Sequence, residues 1–88
     1  MASYKVTLKP SVDKDLRALP KSVVARVMRV IESLSQEPLP RPTMKLEGST
    51  ALFRIRVGDY RIIYEINRNE RQVVIHYVRH RREVYRKL

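Results

Sequence analysis

Hydrophobic and polar residues alternate at the start of the chain. Tyr4, Val6 and Leu8 are separated by single polar residues, and Pro10 follows them. Because successive side chains of a strand point to opposite faces, this alternation predicts a first strand that is buried on one side. Proline has no backbone N–H to donate, so we expect the strand to end at Pro10.

The apolar spacing then changes to the intervals of three and four residues that are typical of a helix. Val12, Leu16 and Leu19 recur at these intervals, and Ser11 precedes them as a candidate N-cap. The spacing predicts a short helix of about two turns.

A second helix is predicted between Pro20, which suits a helix start, and Pro38, which cannot continue a helix. Its buried face is expected to consist of Val24, Val27, Met28, Ile31 and Leu34. An apolar stripe of this kind needs a partner surface, which the strands can provide.

Prolines also determine the segment that follows. Pro38, Pro40 and Pro42 exclude both a helix interior and a central strand, so we expect an extended connector. Alternation then predicts three strands at about residues 52–58, 60–67 and 72–79, with the polar residues 67–71 as the last hairpin. Strands joined so closely are expected to form an antiparallel meander.

These elements predict a single α+β domain over residues 1–88. Their order is β-α-α-β-β-β, and the two N-terminal helices are expected to pack on one face of a mainly antiparallel sheet. A short C-terminal helix is predicted over residues 82–87. The face of the sheet without helices is then available for function.

The charge of the chain indicates a polyanionic partner. Lys and Arg number 19 against 9 Asp and Glu, which gives a net charge of +10 over 88 residues. Nucleic acid and acidic proteins are the partners that such a surface attracts. The chain has no Cys, which excludes disulfides and thiolate chemistry. No segment has the apolar length of a signal peptide or membrane span, so we expect a cytoplasmic protein without membrane contact.

Arginines occupy alternate positions in the predicted strands. Arg54 and Arg56 alternate with apolar residues and are therefore predicted to share the open face of the sheet. Arg61 falls on the same face if Tyr60 and Ile62 point to the core. Arginines on a solvated face are ordinary, and their stems can cover apolar surface. Three guanidinium groups on one surface nevertheless repel each other unless an anion joins them.

The last residues of the chain add further cations and an aromatic ring. Arg79, Arg81, Arg82 and Arg86 surround Tyr85 in the sequence. A tyrosine among arginines can stack an unpaired base while the arginines bind its phosphates. The same residues can instead form a solvated chain end in which Tyr85 packs a terminal helix, and the pattern leaves both interpretations open.

Other kinds of catalytic site have little support in the sequence. His76 and His80 stand without Cys or a cluster of carboxylates, so we expect neither a metal nor another cofactor. The acidic residues do not form the paired motif of a two-metal nuclease, and there is no glycine-rich phosphate loop. If the chain cuts RNA, we expect it to do so without a metal ion.

Four segments of the chain resemble the RelE family of bacterial and archaeal toxins, within the RelE and ParE superfamily. They are Lys45-Leu46-Glu47-Gly48, Phe53-Arg54-Ile55-Arg56, Gly58-Asp59-Tyr60-Arg61-Ile62-Ile63-Tyr64 and His80-Arg81-Arg82-Glu83-Val84-Tyr85-Arg86. The resemblance extends over essentially the whole chain. It implies a RelE-like fold, which is similar to that of microbial ribonucleases.

The resemblance also implies a function. A family member of this type is the toxin of a type II toxin-antitoxin system and cleaves messenger RNA in the ribosomal A site. Cleavage is expected to proceed by attack of the ribose 2′-hydroxyl on the adjacent phosphate. The implied partners are the 70S ribosome, messenger RNA and a RelB-like antitoxin with an acidic or amphipathic segment. The toxin-antitoxin complex is expected to bind operator DNA through the antitoxin.

Specific roles follow from the same resemblance. It places Arg54, Arg56 and Arg61 at the reacting phosphate, Arg81 at the leaving group and Tyr85 against the substrate base. Further RNA contacts are expected from Lys45, Tyr60, Arg79, His80, Arg82 and Arg86.

One departure from the family pattern concerns the general base. The pattern often has lysine where this chain has Arg54 and Arg56, and a guanidinium stays protonated. Arg56 is therefore a poor base, and His80 is an alternative proton acceptor. Either catalysis rests mainly on positioning and electrostatic stabilisation, with the ribosome or another group accepting the proton, or the activity is weak.

Two other functions fit the same fold. A ParE-like toxin would bind DNA gyrase, and a catalytically silent module would only bind nucleic acid. Similarity of fold does not separate these possibilities. Arg81 and Tyr85 favour the nuclease, because a protein that only occupies another protein does not need a basic site with a ring for base stacking.

Overall fold

The computed structural model describes residues 3–40, 43–45 and 52–82. These residues form an α+β fold in which two helices cover one face of a five-stranded sheet. The elements in chain order are β1 (Lys5–Leu8), α1 (Pro10–Arg17), α2 (Lys21–Ser33), β2 (Thr43–Lys45), β3 (Leu52–Val57), β4 (Tyr60–Asn67) and β5 (Gln72–His80). The predicted fold class is thereby confirmed.

The sheet has the strand order β1-β5-β4-β3-β2. Strands β2 to β5 pair antiparallel with their neighbours, which confirms the predicted meander. Strand β1 pairs in parallel with β5, so the first and last strands of the chain lie side by side. Both helices and strands β2 to β4 lie between them in the sequence, so the chain is long enough for the crossover that a parallel pair needs.

Strand β2 was not predicted. Thr43–Lys45 was included in an extended connector, but these residues pair with Phe53–Ile55 of β3 at the edge of the sheet. Three residues are too few to establish an alternation pattern, so their conformation depends on the partner strand. The sheet therefore has one strand more than the predicted order contained.

The start of α1 differs from the prediction. Pro10 is the first residue of the helix, and Lys9 occupies the N-cap position without a side-chain hydrogen bond. The Ser11 hydroxyl donates instead to the His76 carbonyl oxygen at 2.9 Å. Proline favours the first helical position because its missing N–H would have no partner there, so the N-cap is Lys9, two residues before the predicted Ser11.

Helix α2 agrees with the prediction. It begins after Pro20 and ends before Pro38, and Val27, Ile31 and Leu34 at its C-cap are buried against the sheet. Neither helix in the described part of the chain is long and apolar enough to cross a membrane.

A bulge in β5 keeps its apolar residues directed to the helices. Ile63 pairs with Tyr77 and Tyr64 with Ile75, so His76 is an extra residue in β5. The extra residue reverses the alternation, and both Ile75 before it and Val78 after it therefore belong to the core.

Tyr64 is the largest fully buried side chain and ties the connector to the core. Its hydroxyl donates to the Pro38 carbonyl oxygen at 2.8 Å and lies 3.1 Å from the Thr43 hydroxyl oxygen. Burial raises the pKa of Tyr64 above its ordinary value, and the hydrogen bond to Thr43 partly opposes this shift. The hydroxyl therefore fixes β2 and the preceding segment from the centre of the sheet.

The predicted C-terminal helix over residues 82–87 lies almost entirely outside the described residues, which end at Arg82.

The contacts of the Tyr64 hydroxyl predict an effect on stability at neutral pH. Tyr64→Phe leaves the Pro38 carbonyl without its donor and should lower the free energy of unfolding by about 1–2 kcal/mol. Urea unfolding at pH 7 measures this loss. An unchanged midpoint would show that the two hydrogen bonds contribute nothing to stability.

The same variant should change the response to alkali. Because the pKa of Tyr64 is raised in the folded state, its contribution is complete below the unfolded value of about 10 and is lost as the pH rises through the folded value. The wild type should therefore lose more stability between pH 8 and pH 11 than Tyr64→Phe does.

Candidate nucleic-acid interface

The face of the sheet opposite the helices carries a row of arginines. Arg56 in β3 pairs with Arg61 in β4, and Arg61 pairs with Arg79 in β5. We call Arg56, Arg61 and Arg79 the arginine row. Arg54 lies on the same face, opposite Ile63. The prediction that Arg54, Arg56 and Arg61 share the open face is confirmed.

The turn between β3 and β4 draws two of these side chains together. Gly58 adopts a φ of 59°, which glycine tolerates without strain. Its carbonyl oxygen accepts hydrogen bonds from Arg56 Nε at 3.3 Å and from Arg61 Nη1 at 3.1 Å. Arg61 Nη1 also donates to the Tyr60 carbonyl oxygen at 2.9 Å. Two guanidinium groups therefore converge on one backbone oxygen.

No carboxylate of the described residues forms an ion pair with Arg56 or Arg61. Within the described residues, the ion pairs are Arg17–Asp13, His76–Glu65 and Arg79–Asp15. Like charges directly opposite each other on paired strands are unfavourable. An anion placed between Arg56 and Arg61 would remove this repulsion.

Arg79, in contrast, is held by other protein groups. Its Nε lies 3.5 Å from Asp15 Oδ1, and the two side chains are only 18% and 14% exposed. Its guanidinium carbon lies 4.4 Å from the centre of the Tyr77 ring. These contacts assign the third member of the arginine row mainly to structure. Asp15 was not predicted as part of the site, because only the tertiary contact reveals its role.

Asp15 belongs to a set of α1 contacts that cover the edge of β5. The pairing of β1 with β5 ends at Ile75, whose carbonyl oxygen also accepts from the Lys9 N–H at 3.0 Å. Beyond it, the Ser11 hydroxyl binds the His76 carbonyl, and Asp15 Oδ2 accepts from the Val78 N–H at 3.1 Å. Polar side chains of α1 thus bind the backbone of β5 where its pairing with β1 has ended.

Tyr60 and His80 lie on the other face of the sheet. They are opposite each other in β4 and β5, and their rings meet edge to face with centres 5.5 Å apart. His80 Nδ1 accepts a hydrogen bond from the Arg82 N–H at 3.3 Å, which leaves the proton of a neutral ring on Nε2. The two rings line a cleft of about 630 Å³ beside α1. The structure therefore separates them from Arg61.

Arg81 and Arg82 are exposed and follow β5 directly. The Arg81 N–H donates to the Asp59 carbonyl oxygen at 2.8 Å, so Arg81 lies next to the turn that carries Gly58. The structure brings Arg81 to the same end of the sheet as Arg56 and Arg61.

Of the remaining predicted residues, Lys45 is described and lies apart from this group. Lys45 is exposed on β2 and pairs with Phe53, so it points to the face opposite that of Arg54. Tyr85 and Arg86 lie outside the described residues.

One histidine on the open face contacts a carboxylate at a distance from Arg61. His76 Nε2 lies 3.0 Å from Glu65 Oε1. Glu65 is four residues from Arg61 along β4, which corresponds to about 13 Å at the usual rise of a strand. His76 is therefore not placed to act beside Arg61. In the part of the chain that the structure describes, no three metal-ligating side chains come together.

This arrangement suits the stabilisation of negative charge. Fixed guanidinium groups are effective where charge develops on phosphate oxygens, because they need no reorganisation during the reaction. Arg56 and Arg61 supply two such groups at one turn, and neither can serve as a base.

Comparisons with known proteins agree in sequence and in fold. A family model described as the ParE toxin of type II toxin-antitoxin systems matches residues 6–85. The toxin RelG of Mycobacterium tuberculosis is 33% identical over 85 residues, which cover 96% of this chain and 98% of RelG.

Solved structures show the same similarity. A chain of the archaeal RelE-RelB complex from Pyrococcus horikoshii superposes with a TM-score of 0.81 and 36% identity, over 90% of this chain and 96% of that chain. A chain of the RelB-RelE antitoxin-toxin complex from Methanococcus jannaschii gives a TM-score of 0.77 and 26% identity, over 93% and 98%.

The double role of Asp15 predicts unequal effects of two substitutions. Asp15→Ala removes the acceptor of the Val78 N–H and should lower the free energy of unfolding by about 2 kcal/mol. Asp15→Asn keeps an acceptor oxygen and loses only the charge, so the loss should be about 1 kcal/mol or less.

Asp13→Ala is the matched control, since Asp13 lies on the same helix in an exposed pair with Arg17. It should change stability by less than about 0.5 kcal/mol in urea unfolding. Equal losses for Asp13→Ala and Asp15→Ala would contradict the role of Asp15 at the β5 edge.

Proposed function

Since the chain belongs to the RelE/ParE family of toxins of type II toxin-antitoxin systems, we propose that it is an endoribonuclease that cleaves messenger RNA in the ribosomal A site. The single observation that supports this most strongly is the pair Arg56 and Arg61 at the Gly58 carbonyl. Two guanidinium groups without a carboxylate form a site for one phosphate.

The proposed reaction needs no covalent enzyme intermediate. The ribose 2′-oxygen attacks the adjacent phosphorus and loses its proton, while the bond from phosphorus to the 5′-oxygen breaks and that oxygen gains a proton. The products are a 2′,3′-cyclic phosphate and a free 5′-hydroxyl. Arg56 and Arg61 would stabilise the extra charge on the phosphorane, and Arg54 would contribute from the same face.

The roles of the other residues follow their positions. Arg81 lies at the end of the sheet beside the phosphate site, where it can donate to the departing 5′-oxygen. Tyr85 would stack on the substrate base, as the family resemblance implies. Arg82 and Arg86 would add contacts to RNA around this centre, and Tyr60, His80 and Lys45, which lie on the helix-facing side of the sheet, would contact RNA away from it. The proton of the 2′-hydroxyl would pass to water or to a ribosomal group, since Arg56 and Arg61 remain protonated.

A geometric requirement of the reaction supports dependence on the ribosome. The 2′-oxygen, the phosphorus and the 5′-oxygen must be in line for reaction, and free single-stranded RNA rarely holds this arrangement. The arginine row is a shallow surface and binds charge without enclosing the chain. We therefore assign the bending of messenger RNA to the ribosome. The protein would accordingly act in the cytoplasm.

We further propose a cognate antitoxin of the RelB type as the partner that blocks this site. The comparison structures from Pyrococcus horikoshii and Methanococcus jannaschii are complexes of RelE with RelB. A net charge of +10 favours an acidic or amphipathic segment that folds on the toxin. The complex would bind operator DNA through the antitoxin.

A gyrase-binding toxin is the second candidate, because the matching family model carries the name ParE. Mapping messenger RNA ends after expression of the protein separates the two functions. New ends within translated codons support the nuclease. Gyrase inhibition without new RNA ends would instead establish the second candidate.

Substitution of Arg61 tests the phosphate site. Arg61→Ala should slow single-turnover cleavage by programmed ribosomes about 100-fold or more, because it removes a fixed donor to the phosphorane. Arg68→Ala is the control, since Arg68 is exposed in the hairpin at the other end of β4. Equal rates for the two variants would refute the site.

Arg56 should respond differently to two substitutions. Arg56→Lys keeps a cation and adds a group that can lose its proton, so cleavage should be retained or accelerated. Arg56→Ala removes the cation and should slow cleavage. Single-turnover rates from pH 6 to 9 measure both effects. A strong loss in Arg56→Lys would show that the planar guanidinium contact is required.

A further inference from the structure

A second group of arginines lies on the other side of the Gly58 turn. Arg26 and Arg29 of α2 and Arg56 of β3 line a cleft of about 400 Å³ together with Val30, Val57 and Gly58. We call this the α2 cleft. We propose that the α2 cleft binds a backbone phosphate of RNA, as a second phosphate site next to the arginine row.

The helix places its two arginines on one side by spacing alone. Arg26 and Arg29 are three residues apart, which makes them neighbours on the surface of α2. Both are exposed, whereas Val27 and Ile31 on the inner side of the helix are buried. The apolar contacts that hold α2 on the sheet therefore also fix the position of the two guanidinium groups.

Arg26 lies close to the turn that carries Gly58. A Cβ atom added to Gly58 would lie 3.4 Å from Arg26 Nη2 and 3.5 Å from Nη1. The guanidinium group thus lies against the backbone of the turn, with both Nη atoms at similar distances. These are ordinary van der Waals distances, so a Cβ atom would fit beside the guanidinium group, and it is the positive φ of Gly58 that favours glycine here.

Arg56 connects the two cationic surfaces. Among the described residues, the pairing of β2 with β3 runs from Phe53 to Ile55 and ends one residue before Arg56. Its side chain starts from the face of the arginine row and also lines the α2 cleft. An RNA strand that crosses the Gly58 turn can therefore contact both surfaces with successive phosphates.

The α2 cleft has positive charge without a protein counterion. Among the described residues, Arg17 and Arg79 have carboxylate partners, but no ion pair includes Arg26, Arg29 or Arg56. Three guanidinium groups around one opening repel each other and attract an anion. Arginine binds phosphate through two parallel N–H donors, which suits a phosphodiester group. The assignment of the phosphate to RNA rests on the proposed function.

The test compares two double variants with the same change of charge. Arg26→Gln/Arg29→Gln removes both α2 cations from the cleft. Lys5→Gln/Arg68→Gln is the control, because both residues are exposed at the opposite end of the sheet, where Lys5 pairs with Gln72. Affinity is measured by fluorescence anisotropy for a single-stranded RNA oligonucleotide and for vacant 70S ribosomes, over a range of salt concentrations.

The cleft variant should bind at least one of these probes about 10-fold more weakly than the control variant. The slope of its log affinity against log salt concentration should be smaller by the contribution of about one phosphate contact. Arg26→Lys/Arg29→Lys should restore part of the affinity. A loss with the oligonucleotide identifies messenger RNA as the source of the phosphate, and a loss with ribosomes alone identifies ribosomal RNA. Thermal unfolding shows that the variants are folded.

Three results would overturn the inference. These are wild-type affinity of the cleft variant for both RNA probes, equal weakening by the cleft and control variants, and a loss of affinity confined to an acidic antitoxin. The test measures binding and not cleavage. Failure of the wild-type protein to cleave RNA would therefore refute the proposed function, and the binding result for the α2 cleft would still be valid.

Discussion

The geometry of the basic surface depends on the two-residue turn between β3 and β4. Gly58 has a positive φ and Asp59 does not, which is the pattern of a type II′ hairpin with glycine first. A turn of this length pairs Val57 with Tyr60 and hence Arg56 with Arg61. The Arg26 guanidinium lies beside the same turn. One turn therefore sets the register of the arginine row and forms part of the wall of the α2 cleft.

The distribution of carboxylates separates structural arginines from those available to a ligand. Asp15 reaches from α1 to Arg79 and at the same time accepts from the backbone of β5. Among the described residues, Arg56 and Arg61 donate to the backbone carbonyls of Gly58 and Tyr60, which are neutral. A carbonyl orients a guanidinium without neutralising it. The site therefore keeps its charge for a phosphate while its side chains already have defined positions, which reduces the cost of binding.

The core and the basic surface are two consequences of the same alternation in β4. Ile62, Tyr64 and Ile66 point to the helices. Arg61, the residue before Ile62, points to the open face. A change of register by one residue would reverse both sets of side chains. Burial of the apolar set is strongly favourable, and it holds Arg61 in place although the arginines repel each other.

The sequence alone determined what depends on local periodicity. It predicted the two helices, strands β1 and β3 to β5, and the common face of Arg54, Arg56 and Arg61, because alternation relates residues a few positions apart. Only the tertiary structure decided contacts between distant segments. The pairing of β2 with β3, the use of Ser11 at the β5 edge, the capture of Arg79 by Asp15 and the approach of Arg26 to Gly58 are such contacts. Each joins elements whose relative position is set by packing of the whole core, which no local pattern encodes.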